Sequence, residues 1–284
     1  MRNLQHMDAS RSPLILFTND DGIASPGLWA VVKAFEGMGE LLVTAPRDQQ
    51  SGMGRSLPRY TTGELHPQEI PVYISNCRAV AIDGTPAQSV QHGVLEIADR
   101  QPDLIVSGIN YGDNCGNGVT ISGTVGAAIE GSSLGIRSIA VSLQTPFDLH
   151  LSYDTSVDFR AAAYFARAAG EMLLRMDSLP DDVDLLKIDV PWEATAETEW
   201  RITRLSRRRV YWPTRPERVA GDGRLGYTFN LDPSKAEPDS DVYTVMHLKM
   251  VSVTPMSLDM TARTSLTNLQ RQLSAHLPML TAAK

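Results

Sequence analysis

From residue 14 to about 145, short apolar runs alternate with stretches of helical periodicity, and each run ends in polar residues. The runs at 14–18, 40–45, 72–75, 103–107 and 138–143 are dense in Val, Ile and Leu, which predicts strands buried on both faces, as in a parallel sheet. The stretches 26–37, 85–98 and 124–134 predict helices between them, the order expected of βαβ units. Ser25 can cap the first helix with Pro26 at its first helical position, and Thr85-Pro86 repeats the device for the second. An Ala-rich helix over 155–176 and a strand over 184–190 follow. The pattern then changes. Residues 200–254 hold β-like segments, turn residues, a basic cluster from Arg204 to Arg209, and the aromatics Trp200, Tyr211, Trp212, Tyr227, Phe229 and Tyr243. A last helix is expected over 258–276. The fold class is therefore α/β: a Rossmann-like, mostly parallel sheet flanked by helices over 13–190. A disordered lead-in at 1–12 precedes it, and a smaller hairpin-rich C-terminal region at 191–284 follows.

The polar ends of three strands carry the candidate chemistry, because ligands of open α/β sheets bind beyond the carboxyl ends of the strands. The first strand runs into Thr18-Asn19-Asp20-Asp21-Gly22, the second into a polar loop with Ser51-Gly52, and the third into Ser107-Gly108-Ile109-Asn110. Two acids, a hydroxyl and an amide at one edge form an all-oxygen donor set, which suits Mg²⁺ or Mn²⁺. The histidines His6, His66, His92, His150, His247 and His276 are scattered and make no zinc pattern. Ser122-Gly123-Thr124 opens a helix of small residues, whose N–H groups and partial positive charge suit a phosphate. Asn114 and Asn117 in the loop before it can add donors. Each feature also has an ordinary role: Asp21-Gly22 as a turn, Ser51-Gly52 as a surface loop, Asn110 as a cap, Ser122 or Thr124 as a helix cap.

Other patterns exclude themselves. Gly131-Ser132-Ser133-Leu134-Gly135 matches G-x-S-x-G but lies at the end of a helical run, not at a strand-to-helix elbow. No G-x-G-x-x-G follows the first strand, and Gly22-Ile23 after the acid pair leaves no D-x-D phosphatase pattern.

Composition narrows the picture further. The 284 residues are 42% hydrophobic and 21% charged, ordinary for a soluble globular protein, and the net charge of -7 argues against a general nucleic-acid binder. Cys77 and Cys115 read as two lone thiols. Met1 to Ser12 is polar without a signal-peptide pattern, and no apolar run approaches the roughly 20 residues of a membrane helix. A reducing, cytoplasmic setting is expected. Arg207-Arg208-Arg209 reads as a solvated strand face or as a site for an anionic partner.

Several motifs in fixed order then become specific. Thr18-Asn19-Asp20-Asp21-Gly22-Ile23, Ala45-Pro46, Ser51-Gly52, Asp83-Gly84-Thr85-Pro86, Ser107-Gly108-Ile109-Asn110, Ser122-Gly123-Thr124-Val125 and Val251-Ser252-Val253-Thr254-Pro255 resemble the survival protein SurE family of nucleotidases over roughly 14–260. The resemblance implies a metal-dependent hydrolase of nucleoside 5′- and 3′-monophosphates, with short polyphosphate as a further substrate of some members. It implies one divalent metal ion, Mg²⁺ or Mn²⁺, on Asp20, Asp21, Ser51 and Asn110. Asp20, Asp21 and Asn110 would be catalytic, and Asn19, Gly52, Asn114, Ser122, Gly123 and Thr124 would bind the substrate phosphate. It also implies a homodimer or homotetramer assembled through the C-terminal region.

The chain departs from the family pattern at Gln49-Gln50 before the serine, at Asn117-Gly118, at Ile121, and at Asp189-Val190-Pro191, where an Asn-Val-Pro is usual. These changes bear on the substrate loop. Two alternatives stand beside the nucleotidase: the same site acting on another phosphoester, and a metal- or nucleotide-binding regulator without turnover.

Overall fold

The computed structural model describes residues 11–71, 74–216, 218, 223 and 225–274. Six strands form a parallel core: β1 (Leu14–Thr18), β2 (Glu40–Pro46), β4 (Cys77–Ile82), β5 (Leu104–Tyr111), β6 (Arg137–Leu143) and β7 (Leu185–Val190). The short β3 (Leu65–Pro67) closes one edge antiparallel to β4. At the other edge β11 (Val251–Met256) lies antiparallel to β7, and β8 (Trp200–Ile202) lies parallel to β11. The full order is β3-β4-β2-β1-β5-β6-β7-β11-β8, and β9 (Tyr211–Thr214) and β10 (Gly226–Phe229) form a separate antiparallel hairpin. The C-terminal stretch thus divides: β8 and β11 extend the main sheet, and the hairpin stands outside it.

Helices cover both faces. On one, α1 (Pro26–Ala34) and α4 (Arg160–Arg175) enclose the main core, in which Phe17 and Phe35 meet edge to face at 5.3 Å. On the other, α2 (Pro86–His92) and α3 (Gly123–Ser133) pack against Leu14, Leu16, Leu42 and Ile105. Thr85 caps α2 in a reciprocal box with Gln88. Ser25 makes no side-chain cap bond, so Pro26 alone marks the start of α1. No helix among the described residues is long and apolar enough to cross a membrane, and Cys77 and Cys115 are free thiols.

The strand expected at 72–75 falls partly outside the described residues. The strand beside β2 is instead Cys77–Ile82, where Arg78 and a half-exposed Val80 weaken the apolar signal. The Ala-rich helix starts at Arg160, not 155, because the Asp154 and Asp158 carboxylates accept from Ser156 N and Arg160 N and favour turns. The last helix, α5, spans Leu266–Ser274. Residues 258–261 are taken by turns in which Ser257 and Asp259 accept from Asp259 N and Thr261 N. The lead-in falls outside the described residues up to residue 10, as do the last two positions of the final helix as expected from the sequence.

Candidate active site

At the end of β1 the chain turns through Asn19. Asn19 is fully buried; its amide donates to Gly22 O (3.0 Å) and accepts from Gly22 N (3.2 Å). This closed turn fixes Asp20 and Asp21 at the carboxyl edge of the sheet, 4% and 2% exposed. Asn19 therefore shapes the site from behind, with both ends of its amide engaged by Gly22.

Asp20 faces the head of α3. The Thr124 hydroxyl donates to its Oδ1, and the backbone amides of Thr124 and Gly123 act on the same carboxylate. Gly123 is required here: a Cβ would stand 2.6 Å from Asp20 Cβ and 2.8 Å from Oδ2. Ser122 caps α3 by accepting from Val125 N (3.1 Å). The helix head expected to cradle a phosphate thus already faces an anion of the protein itself, and its partial positive charge stabilises Asp20.

Asp21 turns towards β5. Its Oδ2 accepts from Tyr111 N (3.2 Å) and its Oδ1 from Gln49 Nε2 (3.3 Å). The same Gln49 nitrogen donates to His150 O (3.2 Å), and the Tyr153 hydroxyl donates to Asp21 O (2.6 Å). Asn110, at the end of β5, donates through Nδ2 to Tyr111 O (3.2 Å) and Gly112 O (2.8 Å); among the described residues its Oδ1 takes no donor. Gln50 N donates to Asp20 O (2.7 Å), which brings the next residue, the exposed Ser51, to the rim of the pair, with Gly52 beside it in open space. Asn114 lies deeper. Its backbone N donates to Asp189 Oδ1 and its Nδ2 to Ser142 Oγ, both at 2.8 Å, so its two donors point into the protein.

Burial raises both carboxyls above their ordinary range, and Asp21 is pushed well up, with the Asp20 charge adding to burial. Among the described residues no cationic side chain pairs with either one. Two adjacent buried acids that lack a counter-charge, with an amide oxygen and a hydroxyl at the same edge, fit a hard divalent cation.

Gln49, His150 and Tyr153 were not among the candidates. Both His150 and Tyr153 lie in the loop after β6, a fourth strand that ends at the same edge, so the carboxyl-edge rule applied to β6 would have found them.

The chain from residue 15 to 211 matches the family "Survival protein SurE". A 5′-nucleotidase SurE of Thermococcus gammatolerans is 42% identical over 262 residues, spanning 91% of this chain and 95% of its own length. That of Methanocella arvoryzae is 38% identical over 253 residues, 87% of this chain and 93% of its own. The crystal structure of the SurE protein from Aquifex aeolicus aligns with a TM-score of 0.70 at 31% identity, covering 92% of this chain and 100% of that one. Matched by the family over 15–211 and 42% identical to a relative across 91% of its length, the chain belongs to the SurE family.

Proposed function

We infer that this protein is a metal-dependent phosphomonoester hydrolase that releases phosphate from nucleoside monophosphates. One observation carries the reading: Asp20 and Asp21 are buried side by side at the carboxyl edge with no cationic partner among the described residues. Asp20, Asp21, Asn110 Oδ1 and the Ser51 hydroxyl would hold the ion, Mg²⁺ or Mn²⁺. When bound, such an ion supplies positive charge to a phosphoryl oxygen and lowers the pKa of water.

The chain's own residues do the rest. Asp20 is held in place by Thr124 and the head of α3. Asp21 accepts from only two donors among the described residues, Tyr111 N and Gln49 Nε2, which leaves it room to orient the attacking water and accept its proton. The Ser51-Gly52 loop, open at the rim, offers amide N–H groups to phosphate oxygens. The α3 dipole opposes the negative charge that builds up in the transition state.

The reading includes a homodimer or homotetramer, supported by Trp212, Tyr227 and Phe229 exposed on the hairpin and Leu266, Leu269 and Leu273 exposed along α5. Light scattering of the purified chain tests it. A reducing, cytoplasmic setting suits the two free thiols.

The deciding experiment is phosphate release from a panel of nucleoside 5′- and 3′-monophosphates, sugar phosphates and short polyphosphate, with Mg²⁺, with Mn²⁺ and with EDTA. Metal-dependent release from nucleotides, abolished by EDTA, is expected. Release from sugar phosphates alone would replace the substrate, and nucleotide binding without release would replace the enzyme by a binding protein.

A further inference from the structure

Strand β7 reads Leu185-Leu186-Lys187-Ile188-Asp189-Val190, and all six residues are buried. Lys187 and Asp189 lie two apart, on one face of a strand with no access to water, and burying such charges is costly unless they are paired. Lys187 Nζ donates to Asp189 Oδ2 and, at 3.1 Å, to Asp241 Oδ2. All three side chains are 0% exposed. Burial alone would depress the lysine, but the two carboxylates outweigh it and hold the ammonium above its ordinary value. Burial presses Asp189 towards its neutral form. Both its oxygens receive hydrogen bonds, from Lys187 and from Asn114 N, so it acts here as a carboxylate.

Ligand atoms of Cys115, Asp189 and Asp241 lie within 4.8 Å of one another, a spacing that admits a metal ion. The ammonium of Lys187 takes that role here, since it bonds two of the three groups directly. Burial, then the charge of Asp189, pushes the Cys115 thiol well up, so the thiolate needed for ligation is disfavoured. The cluster is a closed ionic network with its own cation.

Two of its outward bonds reach the loop that leaves the active site. Asp189 Oδ1 takes Asn114 N (2.8 Å), and Asp241 Oδ2 takes Gly116 N (3.0 Å). Gly116 has φ +67, and a Cβ there would meet Arg208 O at 2.6 Å, so the loop fits at this point only as glycine. The loop begins at Tyr111, whose N–H binds Asp21, and at Gly112, whose carbonyl binds Asn110. Asp241 also accepts from Ser206 N (2.9 Å) and Val242 N (2.8 Å), which ties the C-terminal stretch to the same point.

We propose that Lys187, paired with Asp189 and Asp241, is a positioning residue that sets the loop from Gly112 to Asn117 against the acid pair and thereby tunes substrate binding. The proposal rests on the nucleotidase reading for its kinetic consequence and on the hydrogen bonds alone for its structural one. In the wild type one positive charge faces two negative ones. Lys187→Met leaves two negative charges with no cation. Lys187→Met/Asp189→Asn returns the net charge to its original value with the shape of the lysine stem kept.

The test measures KM and kcat for a nucleoside monophosphate at saturating Mg²⁺ or Mn²⁺, together with amide hydrogen exchange of the full chain. Lys187→Met is expected to raise KM about tenfold with kcat within about threefold. Amide protection at Asn114 and Gly116 is lost while β1 and β5 keep theirs. The double variant is expected to recover most of both. Asp189→Asn, which leaves Lys187 facing Asp241, shifts KM in the same direction and carries the test if Lys187→Met does not fold. Unchanged KM and loop protection in folded variants, or protection lost evenly over the chain, overturns the proposal. So does a thiolate-to-cobalt absorption on Co²⁺ titration that Cys115→Ser removes. A wild type without phosphate release sinks the nucleotidase reading, and the exchange data still decide whether the network holds the loop.

Discussion

The Thr124 hydroxyl donates to the Asp20 carboxylate across 104 residues of sequence, joining the head of α3 to the end of β1. Both groups are buried, so the bond replaces water that Asp20 cannot reach. Thr124→Val keeps the side-chain shape and removes the donor. It is expected to lower phosphate release at least about tenfold and to cost about 1–2 kcal/mol, the range for losing a hydrogen bond to a charged group that keeps other donors. Thr124→Ser should restore most of both. Kinetics and denaturant melts of the two variants check this; equal activity in the wild type and the valine variant would remove the bond from the mechanism.

Asp21 shows the conflict between activity and stability more sharply. Its pKa is raised well above normal by burial and by Asp20, so its ionisation at neutral pH works against the metal-free fold. Asp21→Asn should drop kcat/KM by about 10²-fold or more and leave the Tm in EDTA equal to or above that of the wild type. Added Mg²⁺ should raise the Tm of the wild type, by about 2.7 kcal/mol of stability at a hundredfold excess over Kd, and barely move that of the variant. A variant less stable than the wild type in EDTA would mean that Asp21 is a structural acid.

The parallel core was legible because its strands are apolar on both faces and capped by recognisable turn residues: Thr85-Pro86 and Pro26 sit where the helices begin. At the level of segments the edge was legible: Gln50 N reaches Asp20 O and Tyr111 N reaches Asp21, so the neighbours of Ser51 and Asn110 meet the acid pair. Side-chain direction was not legible. Asn114 and the amides of Gly123 and Thr124 have the donors a phosphate needs, yet they point at Asp189, Ser142 and Asp20. Sequence gives donors without aim, and aim here is set by contacts across the sheet. The Lys187-Ile188-Asp189 alternation lies inside an apolar strand, but Asp241, 52 residues beyond Asp189, leaves no local trace of the pairing.

Arg55 fastens the loop that carries Ser51. Its Nε donates to Glu130 Oε2 (2.6 Å) on α3, and Gln91 Nε2 holds the other oxygen (2.8 Å). Glu130 is 3% exposed, whereas the Arg55 side chain is 41% exposed. Arg55→Ala therefore leaves a buried carboxylate with one partner, at a cost of about 1–2 kcal/mol once water around the arginine is allowed for. The freed loop is expected to raise KM several-fold with little change in kcat. Steady-state kinetics and thermal melts of Arg55→Ala and Arg55→Lys separate the two effects, and an unchanged KM would detach this loop from substrate binding.

His150 gives the fold a pH dependence of definite sign. Its ring packs between Phe147 (5.3 Å) and Tyr211 (6.0 Å), with Nε2 3.2 Å from Thr145 O, and burial lowers its pKa despite the opposing pull of that carbonyl and of Asp148. A histidine depressed in the fold binds its proton more readily once unfolded. Stability is then complete above the unfolded value of about 6.5 and falls as pH drops from there through the folded pKa. Melts between pH 7.5 and pH 5 should show this loss in the wild type and a smaller one in His150→Phe, which keeps the ring packing and cannot titrate. Gln49 links the His150 carbonyl to Asp21, so loosening this loop in acid should also lower phosphate release in step with stability. Parallel pH profiles of Tm for the wild type and His150→Phe would assign the acid sensitivity to another group.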